Sequence, residues 1–221
     1  MLTTAERNHL ESLYYAGRFA ELENRARLLL ERYPQSGFIW NALGLSLQMQ
    51  GKDGVAALQQ ATKLLPDDAD MHCKLGNALS DLGRLSEAEA SYRRALQIKP
   101  DYAEVHSNLG LTFQDRRRFA EAEACYRRAL EIKPDYADAH NNLGNTLKEL
   151  NRQDEAEACY QRALQINPDH ADAHNNLAAT FQNMSRFIEA EAGYRRTLHL
   201  QPDHAVTPPP CGNGSNAKSI W

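Results

Sequence analysis

The sequence predicts an all-α array of about six stacked helical hairpins, about twelve helices in all. Three observations carry this. Prolines recur at Pro66, Pro100, Pro134, Pro168 and Pro202, each step being 34 residues. Within one period the apolar residues follow helical spacing twice: Leu75, Leu79 and Leu82, then Leu85, Ala88, Tyr92, Ala95 and Leu96. Between the two runs lies Gly83, which can take the left-handed conformation that ends a helix. A fixed period of this length signals hairpins that bury their apolar faces only by stacking on one another.

Taken in order, residues 1–34 read as a degenerate hairpin that turns near Ala16-Gly17-Arg18 and ends at Pro34. Residues 35–68 form a divergent unit: Trp40, Leu43 and Gly44 suit its first helix, and Leu58, Ala61 and Pro66 its second. It is short by two residues around Gly51-Lys52-Asp53-Gly54. Four gapless units follow, 69–102, 103–136, 137–170 and 171–204. In each, call the first helix A and the second B. The proline ends helix B, because proline disfavours helix in the residue before it. The next acids, Asp101 with Glu104, Asp135 with Asp138 and Asp169 with Asp172, resemble a capping box for the following helix A. Small residues pair where A should approach B: Gly76 with Ala88, Gly110 with Ala122, Gly144 with Ala156, Ala178 with Ala190. Tyr92, Tyr126, Tyr160 and Tyr194 occupy one position of helix B.

Residues 205–221 are irregular, rich in Pro and Gly. Repeat arrays need a polar end, and none follows Pro202. Tyr194, Leu198 and Leu200 are therefore expected to present apolar surface there. That surface would be covered by another copy in a homo-oligomer, by Ile220 and Trp221 folding back, or by a further domain.

Composition limits the function. A net charge of −4 gives no reason to expect nucleic-acid or anionic-membrane partners. No stretch has the length and apolarity of a membrane span. The start, MLTTAERNHLE, lacks a secretory pattern, and Cys73, Cys125, Cys159 and Cys211 form no CxxC pair, so a cytoplasmic location is expected. No catalytic or cofactor motif occurs, so no enzyme activity and no cofactor are expected. His72, His106, His140 and His174 form a row, but stacked units lie about 10 Å apart, too far to share a metal. They read as packing at the edge of the core. The same spacing disfavours a Cys125–Cys159 disulfide. Glu89 with Arg93 and Glu123 with Arg127 read as solvated i,i+4 pairs, and Arg93-Arg94, Arg127-Arg128 and Arg195-Arg196 as a basic outer stripe.

The small-residue pairs, the helix-B Tyr with its following Ala, and the terminal Pro closely resemble the tetratricopeptide repeat over 69–204. The resemblance implies a right-handed superhelical solenoid whose helix A residues line a concave groove that binds protein. The His-rich helix A segments, AHNNLGN-like, are similar to the repeat arms of bacterial protein O-GlcNAc-transferase-like glycosyltransferases. Matching positions give a row Asp70, Glu104, Asp138 and Asp172, a row Lys74, Asn108, Asn142 and Asn176, and a third containing Asn77 and Asn145. In those transferases an asparagine ladder holds an extended chain; here Lys74 stands at the ladder's first place. A carboxamide offers both donor and acceptor to a peptide backbone. With Asp81, Asp115, Glu149 and Lys148 included, the rows carry seven acids and two bases. A neutral or basic peptide is therefore the expected partner. The expected function is a peptide-binding scaffold. The alternatives are the substrate-recruiting arm of a glycosyltransferase or a self-assembling structural module.

Overall fold

The computed structural model describes residues 2–202, so the segment 205–221, with Ile220 and Trp221, lies outside the described residues. Twelve helices, and no strand, occur among the described residues. They are α1 (Thr4–Tyr15), α2 (Phe19–Arg32), α3 (Gly37–Gln48), α4 (Val55–Leu64), α5 (Ala69–Asp81), α6 (Leu85–Ile98), α7 (Ala103–Asp115), α8 (Phe119–Ile132), α9 (Ala137–Glu149), α10 (Gln153–Ile166), α11 (Ala171–Asn183) and α12 (Phe187–Leu200). The chain divides into two compact units, the boundary falling between Ile132 and Lys133. In the first, α1/α2, α3/α4, α5/α6 and α7/α8 are hairpins, and each B helix packs on the next A helix. In the second, α9/α10 and α11/α12 repeat that arrangement, α10 and α9 both touching α11.

Every hairpin turns through one left-handed residue. It is Gly17, Gly51 and Gly83 in the first three, at φ 69°, 69° and 70°, and Arg117, Asn151 and Ser185 in the last three, at 56°, 60° and 61°. The following residue, Arg18, Lys52, Arg84, Arg118, Arg152 or Arg186, donates its backbone N–H to the carbonyl five residues back at 2.8–2.9 Å. This is the 6→1 bond that closes an α-helix. The shortening of the second hairpin falls after its turn: α4 has 10 residues, against 14 in α2. Gly54 there lies so close to the Gly44 carbonyl that a Cβ would come within 2.4 Å of it.

The base at the turn also ties hairpins together. Arg18, Arg84, Arg118, Arg152 and Arg186 each grip the glutamate three residues on. Lys52, Arg118 and Arg186 reach back 29 residues to Glu23, Glu89 and Glu157 on the preceding B helix. The Glu89 side chain is only 8% exposed and contacts Arg93, Arg116 and Arg118. It is a buried tether between repeats, so the expected solvated pair is corrected. Glu23 receives Lys52, Arg27 and Gln50. The hydrogen bond from Lys52 is the largest influence, and its carboxyl is held near pKa 2 against an opposing effect of burial.

Two further expectations change. Asp101, Asp135 and Asp169 do not cap: the N-cap residues are Tyr102, Tyr136 and His170, because the Pro-Asp turn leaves the aspartate one residue too early. Asp67 and Asp169 instead pair with Arg94 and Arg196 at 3.0 and 2.7 Å. Side-chain caps occur at Thr3, which completes a capping box with Glu6, and at Asp68. The residue that demands glycine at 76, 110 and 144 is the helix-B tyrosine. A Cβ there would meet a ring carbon of Tyr92, Tyr126 or Tyr160 at 2.5, 2.9 and 2.5 Å. Each ring is essentially buried, contributing about 1.5–3 kcal/mol by the usual value for a large side chain.

Candidate peptide-binding face

The helix A starts are anchored identically. Nε2 of His72, His106, His140 and His174 bonds the carbonyl of Pro66, Pro100, Pro134 and Pro168, six residues earlier, at 2.9–3.1 Å. Trp40 does the same with its indole N–H and Pro34, at 2.8 Å. The histidine row is therefore a set of polar clamps between helix and proline turn, replacing the aromatic residue donor for donor. Burial lowers the pKa of His140 and Arg162 adds to that, while the Pro134 carbonyl opposes.

The helix A residues between these clamps carry the candidate site. In the first unit, Asp70 and Glu104 are exposed and Lys74, Asn77 and Asn108 half-buried. Asn77 Oδ1 accepts from the Tyr92 hydroxyl at 2.7 Å and from Asn108 Nδ2 at 3.0 Å. Asp70 accepts from the Tyr102 hydroxyl, whose pKa is raised first by burial and then by that bond. In the second unit, Asp138 and Asp172 are exposed and Asn142, Asn145 and Asn176 half-buried. Asn145 Oδ1 accepts from Tyr160 at 2.8 Å. Asn176 Nδ2 donates to Asn141 Oδ1 at 3.0 Å, and Asn141 Nδ2 to Asn142 Oδ1 at 3.3 Å. Asp138 lies 3.2 Å from His170 Nε2.

The asparagines are thus oriented by the protein itself. Asn77 and Asn145 serve first to satisfy a buried tyrosine. Where Leu111 and Ala179 replace them, Tyr126 and Tyr194 turn to Gln114 and Gln182, one helical turn on, at 3.1 and 2.8 Å. The sequence contains this exchange as Asn at one position or Gln three residues later. An apolar-period reading passes over it, as it passes over Asn141, Tyr102 and His170. It also misses Thr112, Thr146 and Thr180, fully buried on helix A. Their hydroxyls donate to the carbonyls of Asn108, Asn142 and Asn176 at 2.9–3.0 Å.

At the far end of the second unit, Tyr194 is buried rather than exposed. Leu198 is exposed and Leu200 partly so, together with Phe187 and Ile188. The arginines of the outer stripe are paired: Arg93 with Glu89, Arg127 with Glu123, Arg128 with Glu131, Arg195 with Glu191. Burial raises the thiol pKa of Cys73 to about 12 and of Cys125 to about 11, which leaves both protonated and poorly nucleophilic. Among the described residues no group of three or more His, Cys, Asp or Glu could hold a metal, and no helix is long and apolar enough to cross a membrane.

Three family profiles match in an unbroken run over 76–192. Two described as "Tetratricopeptide repeat" match residues 101–169 and 159–192, and one described as "TPR repeat" matches 76–116. Among solved structures, the fold is similar to Pseudomonas aeruginosa pilF, at 18% identity and TM-score 0.78, covering 90% of this chain and 92% of that one. It is similar to MamA at 21% identity and TM-score 0.66, covering 72% and 95%. It is also similar to YrrB, "a TPR protein with an unusual peptide-binding site", at 20% identity and TM-score 0.64, covering 81% and 93%. Among curated protein sequences, nothing matches significantly.

Proposed function

The chain belongs to the tetratricopeptide-repeat family, and from that premise we propose that it is a protein-interaction scaffold whose helix A faces hold extended neutral or basic peptide. The observation that carries this reading is the orientation of half-buried carboxamides by internal bonds. Asn108 and Asn176 each commit one N–H to the protein, which leaves an acceptor oxygen and a second N–H for a ligand backbone. Groups fixed before binding lose little entropy on it. Asp70 and Glu104 in the first unit, and Asp138 and Asp172 in the second, set the charge preference. YrrB, whose fold is similar, has an unusual peptide-binding site, which favours this kind of occupant. A cytoplasmic setting is proposed on the same footing, from the unbridged thiols Cys73 and Cys125.

A positional peptide library tests the reading against wild type and the triple variant Asn108→Ala, Asn142→Ala, Asn176→Ala, with melting curves beside each binding curve. We expect at least about tenfold weaker binding, the equivalent of one or two lost hydrogen bonds. Unchanged affinity removes the asparagines from the site, and preference for acidic peptides overturns the charge argument. A second reading, self-association through the last hairpin, is favoured by exposed Phe187, Ile188 and Leu198. Light scattering across a dilution series decides it: one constant monomer mass eliminates it.

A further inference from the structure

Successive hairpins are joined by an ion pair of fixed pattern. A helix B carboxylate receives the base at the next hairpin's turn: Lys52 on Glu23, Arg118 on Glu89, Arg186 on Glu157. Those glutamate side chains are 13%, 8% and 16% exposed. Glu191 holds the same place on α12, 34 residues after Glu157. It is 48% exposed, and it pairs with Arg195, one turn away on its own helix. Arg27 and Arg93 make that same short-range pair with Glu23 and Glu89, and each of those carboxylates still takes the later base. The pair with Arg195 therefore leaves Glu191 able to receive a second cation.

Arg18 shows the other half. Like Arg118 and Arg186, it grips the glutamate three residues on. Those two arginines also reach back to the preceding helix B and are 32% and 35% exposed. Arg18 has no helix B before it among the described residues, and it is 57% exposed.

The helix faces differ in the same way. Twelve and five residues before the left-handed turn residue, α3, α7 and α11 bury Ile39 and Ser46, Val105 and Thr112, Ala173 and Thr180. On α1 these places hold Ala5 and Ser12, both exposed. What α3, α7 and α11 have and α1 lacks is a preceding helix B in contact, so this is the face that a helix B covers. On α12, Leu198 is exposed where Leu30, Leu96 and Leu164 are half-buried. Ala5 and Ser12 are small enough for close approach, Leu198 supplies apolar area, and Arg18 and Glu191 carry opposite charges.

We propose that copies of this chain join head to tail, α1 of one packing on α12 of another, with Arg18 of the first pairing with Glu191 of the second. A second copy is the occupant these surfaces select, because the chain already makes this contact within each unit and its two exposed halves match in position and charge. The proposal deepens the self-association reading and rests on it. It supplies the surface that the last hairpin meets. Each copy keeps one end free, so mass grows with concentration unless a ring closes.

Light scattering of the full chain across a dilution series tests this. Arg18→Glu and Glu191→Arg should each weaken association at least about tenfold by setting like charges together. An equimolar mixture of the two variants should restore it, since contacts between unlike variants again join opposite charges. Ser12→Gln adds bulk to the outer face of α1 without changing its charge and should weaken association as much. Melting curves establish that the variants fold. A wild type that stays monomeric overturns this proposal and the self-association reading together. Association that survives Arg18→Glu and Ser12→Gln but is lost in Leu198→Glu overturns this proposal alone, because a tail-to-tail contact uses only the last hairpin. A mixture that stays as weak as its components overturns the Arg18–Glu191 pairing.

Discussion

The packing of glycine against tyrosine offers the sharpest test of how these hairpins close. A Cβ added at Gly144 would lie 2.5 Å from Tyr160 Cε1 and 2.8 Å from both Cδ1 and Cζ. Carbon contacts are comfortable at about 3.5–4.0 Å, so the ring would have to retreat by about 1 Å. Tyr160 cannot do so freely: it is fully buried and its hydroxyl is held by Asn145 at 2.8 Å. Overpacking of this kind costs about 1–3 kcal/mol, while replacing a helical glycine by alanine returns about 0.8–1 kcal/mol. Gly144→Ala should therefore destabilise by up to about 2 kcal/mol.

The last hairpin suggests the compensation. There Ala178 stands where the other three have glycine, and Gly193 stands where Cys159 is found. A Cβ on Gly193 would meet that of Ala178 at 2.8 Å. Bulk has moved from helix B to helix A. Cys159→Gly alone should cost about 0.3 kcal/mol in helix propensity, because cysteine is already a poor helix former. The double variant Gly144→Ala, Cys159→Gly recreates the last hairpin's arrangement. It should lose at least about 1 kcal/mol less than the two single changes together. Urea unfolding followed by far-ultraviolet circular dichroism measures all four corners of the cycle. Additivity within about 0.5 kcal/mol would show that the two positions do not share a space, and the argument would fail.

Ser185→Gly should stabilise by about 1 kcal/mol, since φ of 61° there is a left-handed conformation that serine adopts at a cost; a lower urea midpoint contradicts it. Arg186→Ala breaks contacts to Glu157 and Glu189 and the stacking on Phe181 at 4.1 Å. It should lower the urea midpoint, with hydrogen exchange accelerated first in α12; an unchanged midpoint and exchange pattern contradicts it. Asn145→Leu should cost about 1–3 kcal/mol by orphaning the Tyr160 hydroxyl. Adding Lys148→Gln, the position from which Gln114 and Gln182 serve their tyrosines, should recover most of that loss in the same unfolding assay. His140 titrates below its ordinary 6.5 because burial disfavours the charged ring. The unfolded chain therefore binds more protons, and the stability is full above about 6.5 and declines as pH falls through it toward the lower folded value. Wild type should lose more stability than His140→Gln between about pH 7 and 5.5; equal losses would remove His140 as the cause.

The array and its period were legible in the chain alone, because a repeat that must stack on its neighbours has to return to the same pattern of Leu, Ala, Tyr and Pro each time. Turn positions were legible where glycine occupies them, at 17, 51 and 83, and silent at Arg117, Asn151 and Ser185, where the folded hairpin imposes the left-handed residue on an ordinary side chain. The candidate rows Asn77, Asn108, Asn142, Asn145 and Asn176 were visible as polar positions on helix A. Which of their atoms are already engaged was decided only by tertiary structure, since the partners Tyr92, Tyr160 and Asn141 lie on another helix or another repeat. The same holds for Glu89, read as one half of a surface pair and found enclosed by three arginines. Periodicity reports which face of a helix is apolar. It cannot report which polar groups meet across helices, because hydrogen bonds depend on distances that the fold alone sets.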